Sequence, residues 1–429
     1  VPNTGGQPRL RVPWSRSDRR LPRLVARPLQ QFLQTEAAGG ILLLAAAAVA
    51  LVWANVSPAS YDAVWHGELT LRIGSWGISE DIRHWVNDAL MALFFFVVGL
   101  EIKRELVSGE LRDPRAAALP AFSALGGMVV PGVIYAAVNA GGAGSAGWGI
   151  PMATDIAFAV GVLAIVGRGL PSGLKLFLLT LAIVDDIGAI VVIAIFYSGG
   201  ISWPALGIAC GLLIAIVALR RARVRPVAVY AVFGAGVWLA VFESGIHATI
   251  AGVVLGLLTP AVPFGRSSEC GDLPEPSREE LSPLTRLEVA LHPWTSFVII
   301  PLFALANAGV YLGGGVLKSA FSNAITVGVV VGLVVGKTVG ISLAAWAGTR
   351  SGLARLPIGV TWFQLVGAAA VGGIGFTVSL FIAGLAFSNG SELASAKVGI
   401  LAGSLVAGVL GGALLMRARR GVSRLSEGD

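Results

Sequence analysis

Apolar stretches of about twenty residues, each closed by a short polar loop, recur along nearly the whole chain. A bilayer span takes roughly 20 mostly apolar residues, and twelve segments meet or approach that length. The first six are Ala37–Val56, His84–Leu106, Ala116–Val138, Trp148–Val166, Leu174–Tyr197 and Pro204–Leu219. The last six are Val227–Phe242, Ile246–Leu258, Val289–Ala308, Ala324–Ala347, Ile358–Phe387 and Ala394–Met416. The eighth is short by itself. The pattern predicts an all-α membrane protein of twelve transmembrane helices. One loop departs from it. In Val64–Ile78, Leu69, Leu71 and Ile73 alternate with Thr70 and Arg72 between Gly67 and Gly74, a period-two pattern that predicts a short outer hairpin. Its edge could pair with a second copy of the chain, or the segment could be an ordered loop; the pattern allows both.

Charge fixes the expected orientation. Basic residues cluster in the N-terminal tail and after span 2 (Lys103, Arg104, Arg112, Arg115). They recur between spans 4 and 5 (Arg168, Lys175), after span 6 (Arg220, Arg221, Arg223, Arg225) and after span 8 (Arg266, Arg278, Arg286). Further groups follow span 10 (Arg350, Arg355) and span 12 (Arg417, Arg419, Arg420). Alternate loops carry few, so the positive-inside rule predicts both termini in the cytoplasm. The expected domains are an Arg/Pro-rich cytoplasmic tail (1–34), a membrane domain (35–417) and a short cytoplasmic tail (418–429). Seven arginines from Arg9 to Arg27 mark the first tail, which reads as flexible chain and not as a signal peptide. The loop Ala261–Glu288 is polar and Pro-rich and reads as a cytoplasmic linker.

Composition agrees. The chain is 55% hydrophobic and 13% charged, against about 25% charged in a soluble globule. The mean hydropathy is +0.80. The net charge of +7 sits mostly at helix ends and in tails, so membrane lipid is the expected partner and nucleic acid is not. Cys210 and Cys270 cannot form a disulfide framework; Cys210, in an apolar run, is expected in core packing.

Against this background the buried charges stand out. Asp155, Asp185 and Asp186 lie in otherwise apolar spans, and Lys337 lies mid-span in GVVVGLVVGKTVGIS. A charge at the bilayer centre costs roughly 2.5–3.5 kcal/mol on insertion scales, so such residues mark a proton or cation site. Asp155 follows Thr154, with Pro151 before and Gly161 after, which predicts a locally unwound segment offering carbonyl, hydroxyl and carboxylate oxygens to a hard cation. Asp185 and Asp186 are neighbours on a helix, about 100° apart, so only one can face the Asp155 site. Like charge and loss of water both favour a neutral carboxylate, and a carboxylate so placed can trade a proton for Na+. Lys337 needs a partner, and Asp185 or Asp155 is the natural one; it can serve as a structural ion pair, a proton carrier or both. Glycines 328, 332, 336 and 340 beside it form a stripe for close helix packing.

Span 11 contains VGGIGFTVS, in which Gly372, Gly373, Gly375, Thr377 and Ser379 predict a second interrupted helix or a Gly-rich packing face. Two broken helices in corresponding halves point to a secondary transporter's site, so spans 3–5 and 10–12 are expected to form inverted repeats with helices 4 and 11 interrupted. Asp155 could compensate the positive half-helix ends and Lys337 the negative ones. A second cluster lies toward the cytoplasm: Glu101, Arg104 and Glu105 in GLEIKRELVSGE, with Glu288 and His292 in RLEVALHPW. It reads either as a cation funnel and pH sensor or as ordinary interfacial charge. His247 reads as a hydrogen-bonded packing residue, and Asp88 as interfacial.

The runs ATDIAFAVGVLAIVG, LAIVDDIGAI, GLVVGKTVGIS and GGIGFTVSLFIAGLAF resemble the NhaA-type bacterial sodium/proton antiporters. So do NDALMALFFFVVGLEIKREL, SGIHATIAG and LHPWTSFVIIPLFALANAG. The resemblance covers about residues 35–415. It implies a multi-pass inner-membrane protein that exports cytoplasmic Na+ or Li+ in exchange for external protons, for pH and sodium homeostasis. It further implies crossed helices 4 and 11, a cation held at Asp186 and Asp185, and Thr154 and Asp155 at the crossing. Lys337 would pair with the first acid, and Glu101, Arg104, Glu105, Glu288 and His292 would sense pH. The outer hairpin would be a homodimer contact. Val289, Thr285 and Thr338 stand where the family's histidine, lysine and proline are familiar, departures that touch the pH profile more than the core site.

The sequence therefore reads as a secondary active transporter with no cofactor beyond the transported Na+, Li+ and H+. An electrogenic exchange in which cation and protons compete for buried aspartates follows. An intramembrane aspartyl protease also needs two acids at depth, but its Tyr-Asp and Gly-x-Gly-Asp pattern is absent from the spans, and an intramembrane lysine is present. A passive cation channel fits broken helices but leaves titratable midplane ligands unexplained.

Overall fold

The computed structural model describes residues 38–73, 76–166, 170–222, 224, 226–261, 282–313 and 322–426. The expectations for the 1–34 tail, for Cys270 and for most of the 261–288 linker lie outside the described residues. The chain is a bundle of helices: α1 (Ala38–Val56), a short α2 (Pro58–Trp65), a hairpin of β1 (Glu68–Ile73) and β2 (Trp76–Asp81), then α3 (Ile82–Ser108) and α4 (Pro114–Val138). A 3-10 segment, Ala143–Met152, leads into α5 (Ile156–Val166), followed by α6 (Ser172–Phe196) and α7 (Trp203–Arg221). Next come α8 (Val227–Glu243), α9 (Thr249–Leu258), α10 (Pro283–Asn307) and α11 (Ala324–Arg350). The bundle closes with α12 (Trp362–Val371), α13 (Phe376–Ala386) and α14 (Gly390–Ser426).

Among the described residues eight helices are long and apolar enough to cross a membrane, and two bent pairs raise this to ten. The pairs are Ala143–Met152 with α5 and α12 with α13, each bent by 46°. The helices α8 and α9 are apolar but shorter. This supports the all-α membrane class, with the hairpin as its one sheet among the described residues. The hairpin is antiparallel, with Leu69 opposite Glu80 and Leu71 opposite Ile78.

Local chemistry sets where helices start. Asp113 caps α4 through the Arg115 N–H, with Pro114 in the first turn where its missing donor costs nothing. Thr361 and Gln364 form a capping box on α12, and Ser282 and Asn323 cap α10 and α11.

Helix contacts run along glycines, as the stripe predicted. A Cβ at Gly340 would lie 2.3 Å from the Gly126 carbonyl oxygen, and one at Gly126 the same distance from that of Gly340, so α4 and α11 touch backbone to backbone. On α9, Gly252 and Gly256 approach the Ala92 and Phe96 carbonyls of α3 in the same way. Among the described residues three π turns interrupt the long helices, at Val86–Leu90, Thr295–Ile299 and Gly332–Gly336, the last directly before Lys337. Cys210 is a correction to the sequence reading. It is exposed on α7, a helix with only 11% of its apolar window buried in the protein; an apolar run surrounded by lipid can be exposed on most faces.

Candidate functional site

The two bent pairs cross at their breaks. Ala153 is extended, and Thr154 and Asp155 complete the gap before α5. The opposite break is Gly372–Gly375. The Asp155 N–H donates to the Ile374 carbonyl at 2.6 Å, so the two unwound segments satisfy one another. This is the condition under which irregular backbone survives at membrane depth. Glycine is needed here for close approach: a Cβ at Gly373 would lie 2.4 Å from the Leu333 carbonyl oxygen, and one at Gly375 2.3 Å from Ser379 Oγ. Pro151 lies in the last turn of the first half-helix, which ends at Met152, whereas Gly161 lies inside α5 and not at the break.

Asp155 is buried at the start of α5, and its carboxylate caps two helices. Its Oδ1 accepts the Phe158 N–H at 3.1 Å, within α5. Its Oδ2 accepts the Thr377 N–H at 3.0 Å and the Thr377 hydroxyl at 2.6 Å, at the start of α13. A negative group between two helix N-termini offsets both partial positive charges, which is the role foreseen for Asp155. It leaves that carboxylate largely occupied.

Lys337 is fully buried, and its ammonium donates to Asp185 Oδ2 at 2.6 Å and to Thr154 Oγ1 at 2.9 Å. Of the two partners open from sequence, Asp185 is the one it takes. No bond from Lys337 to a half-helix carbonyl occurs among the described residues; the Thr154 hydroxyl donates to the Gly372 carbonyl at 2.8 Å in its place. Thr154 is thus the joint between the crossing and the ion pair.

Asp185 and Asp186 are both buried on α6, at 0% and 5% exposure. Each has one carboxylate oxygen, Oδ1, that is buried without a hydrogen-bond partner. Unmet acceptors at such depth are costly and suit a proton or a cation. Asp186 feels the charges of Asp185, Glu101, Asp155 and Lys337. Among the described residues no three His, Cys, Asp or Glu side chains converge as a metal cluster. A cation at Asp185 and Asp186 would therefore complete its shell with neutral oxygens, as a weakly bound hard ion does.

The second expected cluster is also assembled. Arg104 on α3 pairs with Glu288 on α10 and lies 3.5 Å from Glu105. His292 Nδ1 is 3.8 Å from Glu101. The Glu105 carboxylate is turned back on its own chain, since its Oε2 accepts the Glu110 N–H at 3.1 Å. All five residues thus meet between α3 and α10. His247 bonds the Tyr197 carbonyl at 2.5 Å, in keeping with a packing role. Asp88 is half-buried within a π turn, with its carbonyl held by Trp238.

Several polar contacts escaped the sequence reading. Ser379 donates to the Ile150 carbonyl at 2.7 Å, and Ser404 accepts the Gly375 N–H at 3.3 Å. Asn307 and Asn87 join α10 to α3 at 2.8 Å. Ser404 and Asn307 are lone polar residues in apolar runs, the one signal that could have singled them out; Asn87 stands beside Asp88, and Ser379 belongs to the span 11 motif already named.

The Na+/H+ antiporter 1 family model matches residues 30–415. The chain belongs to this antiporter family. It is 46% identical over 422 residues to the Na(+)/H(+) antiporter NhaA 2 of Sorangium cellulosum, covering 91% of this chain and 90% of that relative. It is 48% identical to the Na(+)/H(+) antiporter NhaA 3 of Frankia alni, with 92% and 89% covered. To the Na(+)/H(+) antiporter NhaA of Bordetella petrii it is 45% identical, with 92% of each covered. The crossed breaks and the acid–lysine pair therefore sit in a chain of a transporter family.

Proposed function

We propose that this chain is an electrogenic antiporter of the bacterial inner membrane that exports Na+ or Li+ in exchange for external protons. The observation that carries the reading is the Asp185–Lys337 pair beside Asp186, with one free buried oxygen on each acid, at the crossing of two broken helices. In this scheme Na+ reaches Asp186 from the cytoplasm and displaces protons from the carboxylates or from Lys337. Rocking of one part of the bundle against the other carries the site outward, where protons displace Na+. Competition for one site couples the two fluxes without further machinery. More protons than cations per cycle would move charge and let the membrane potential drive export.

The same reading assigns Thr154, Asp155, Gly372, Gly373, Gly375 and Thr377 to the hinge of the crossing. It assigns Glu101, Arg104, Glu105, Glu288 and His292 to a cytoplasmic entry that responds to pH. With α8 and α9 counted as spans the helices number twelve, and spans 3–5 and 10–12 form the inverted halves. Both termini face the cytoplasm, and the hairpin near 64–78 joins two copies.

The test uses proteoliposomes with an acidic lumen and a pH dye, given Na+ and then K+ outside. Proton efflux on Na+ alone, lost in Asp186→Asn, is the expected result. No efflux from mildly acidic to alkaline pH, with the protein folded, would sink the proposal and favour a channel.

A further inference from the structure

The face of the bundle that carries the hairpin holds a cavity of about 630 Å3, a volume suited to a small ligand. It opens where α1 and α10 end and where α3, α11 and α14 begin; Ala54, Gly309, Arg83, Asn323 and Gly390 mark those ends. Helix ends lie at headgroup depth in a spanning bundle, and Trp53, Tyr61 and Trp65, stacked edge to face beside the cavity, are the residues that favour that depth.

Two basic side chains, Lys397 and Arg83, line this cavity. Lys397, on the second turn of α14, is only 6% exposed, and its ammonium makes no hydrogen bond or ion pair among the described residues. Arg83, on the first turn of α3, has a buried Nε with no acceptor, while its guanidinium lies 6.0 Å from the Tyr61 ring centre. The two are close enough for their charges to interact. A guanidinium stays charged and offers a planar fork of donors that suits phosphate. A buried lysine with no hydrogen-bonded acceptor, set beside the like charge of Arg83, is accounted for by an anion that enters the cavity between them.

Two acids line the same cavity farther out: Asp62, which is exposed, and Glu392, which is half-buried. Asp62 interacts with Lys397 only through its field. His66 is turned toward the Asp62 carbonyl at 3.1 Å. The cavity thus has a positive floor and a negative rim. A simple anion would meet only the first. A ligand with a phosphate at one end and an ammonium a few bonds away meets both.

We propose that this cavity binds a zwitterionic aminoalkyl phosphate, with the phosphate on Lys397 and Arg83 and the ammonium toward Asp62 and Glu392. The site is separate from the aspartate–lysine site and does not depend on the exchange reading. The ligand can come from a phospholipid headgroup or from a soluble phosphoethanolamine.

The test is thermal unfolding of the purified full chain in maltoside detergent, followed by tryptophan fluorescence. The additives are short-chain phosphatidylethanolamine, short-chain phosphatidylglycerol, diacylglycerol of the same chains, and free phosphoethanolamine. Phosphatidylethanolamine is expected to raise the midpoint by several degrees, and Lys397→Met and Arg83→Gln each to remove at least half of that shift. Lys397→Arg, which keeps the cation, is expected to retain it. An equal shift with free phosphoethanolamine assigns a soluble ligand, and a shift with the lipid alone assigns a headgroup. A shift matched by diacylglycerol or phosphatidylglycerol, or retained in full by Lys397→Met, overturns the proposal. If Lys397→Met does not survive purification, the partly exposed Arg83→Gln decides by the same criterion.

Discussion

The carboxylate of Asp155 and residue Thr377, 222 positions apart, make two hydrogen bonds, one to the backbone and one to the hydroxyl. This contact ties the two broken helices together at the N-termini of their second halves, α5 and α13. A hydrogen bond to a charged group contributes about 1.5–3 kcal/mol. Thr377→Val keeps the shape and the N–H bond but removes the hydroxyl. It is expected to lower the unfolding midpoint and slow Na+-driven proton flux several-fold, with Thr377→Ser restoring most of both. A Val variant as stable and active as the parent would remove the hydroxyl from the hinge.

The Asp185–Lys337 pair makes a sharper test. Breaking a buried pair by removing one partner typically costs about 3–5 kcal/mol, because the other charge is left alone. Asp185→Asn and Lys337→Gln are each expected to destabilise strongly. The double variant should lose much less than the sum of the two, since nothing is stranded. Additive losses in melting experiments would mean that the pair contributes little as a pair. The Asp185→Asn chain should also lose proton-coupled exchange, whereas the double variant reports whether stability and exchange separate.

The polar residues that define this crossing were legible because a bilayer makes them expensive. Asp155, Asp185, Asp186 and Lys337 are visible from sequence for that reason, and the glycines at 372, 373 and 375 mark the opposite break. The choice of Asp185 over Asp155 as the partner of Lys337 was not legible, because adjacent helical positions differ by about 100° in direction and helix rotation is set by packing. The place of the first break was likewise blurred. Pro151 signals it, yet Gly161 lies within a continuous helix. Cys210 shows the limit of hydropathy: an apolar neighbourhood does not separate a protein core from a lipid-facing surface. Lys397 was passed over because it stands near a span end, where lysine ordinarily reaches water.

The cluster between α3 and α10 carries a pH prediction. A His292–Glu101 ion pair exists only while the imidazole is protonated. Glu101 must be ionised as well, so the pair exists only where both groups are charged. If it restrains the cytoplasmic entry, His292→Asn is expected to change the pH profile of exchange while leaving the maximal rate similar. Flux measured in proteoliposomes from about pH 6 to 9 checks this. An unshifted profile would leave these groups as ordinary interfacial charge.

Backbone contact between α4 and α11 gives the last prediction. Gly126 and Gly340 face each other so closely that a methyl on either would meet the other's carbonyl at 2.3 Å. Only movement of a whole helix relieves such a clash, because the obstacle is backbone and not a side chain that can turn. Overpacking of a tight interior costs about 1–3 kcal/mol or more. The helix moved would be the one bearing Lys337, which must stay within hydrogen-bond reach of Asp185. Gly340→Ala is therefore expected to lower both the unfolding midpoint and the exchange rate. Gly211→Ala on α7, where nothing lies within 4 Å of the added methyl, should leave both unchanged or raise stability slightly through better helix propensity. Equal behaviour of the two alanine variants in melting and flux would show that the α4–α11 contact tolerates sliding and does not fix the height of Lys337.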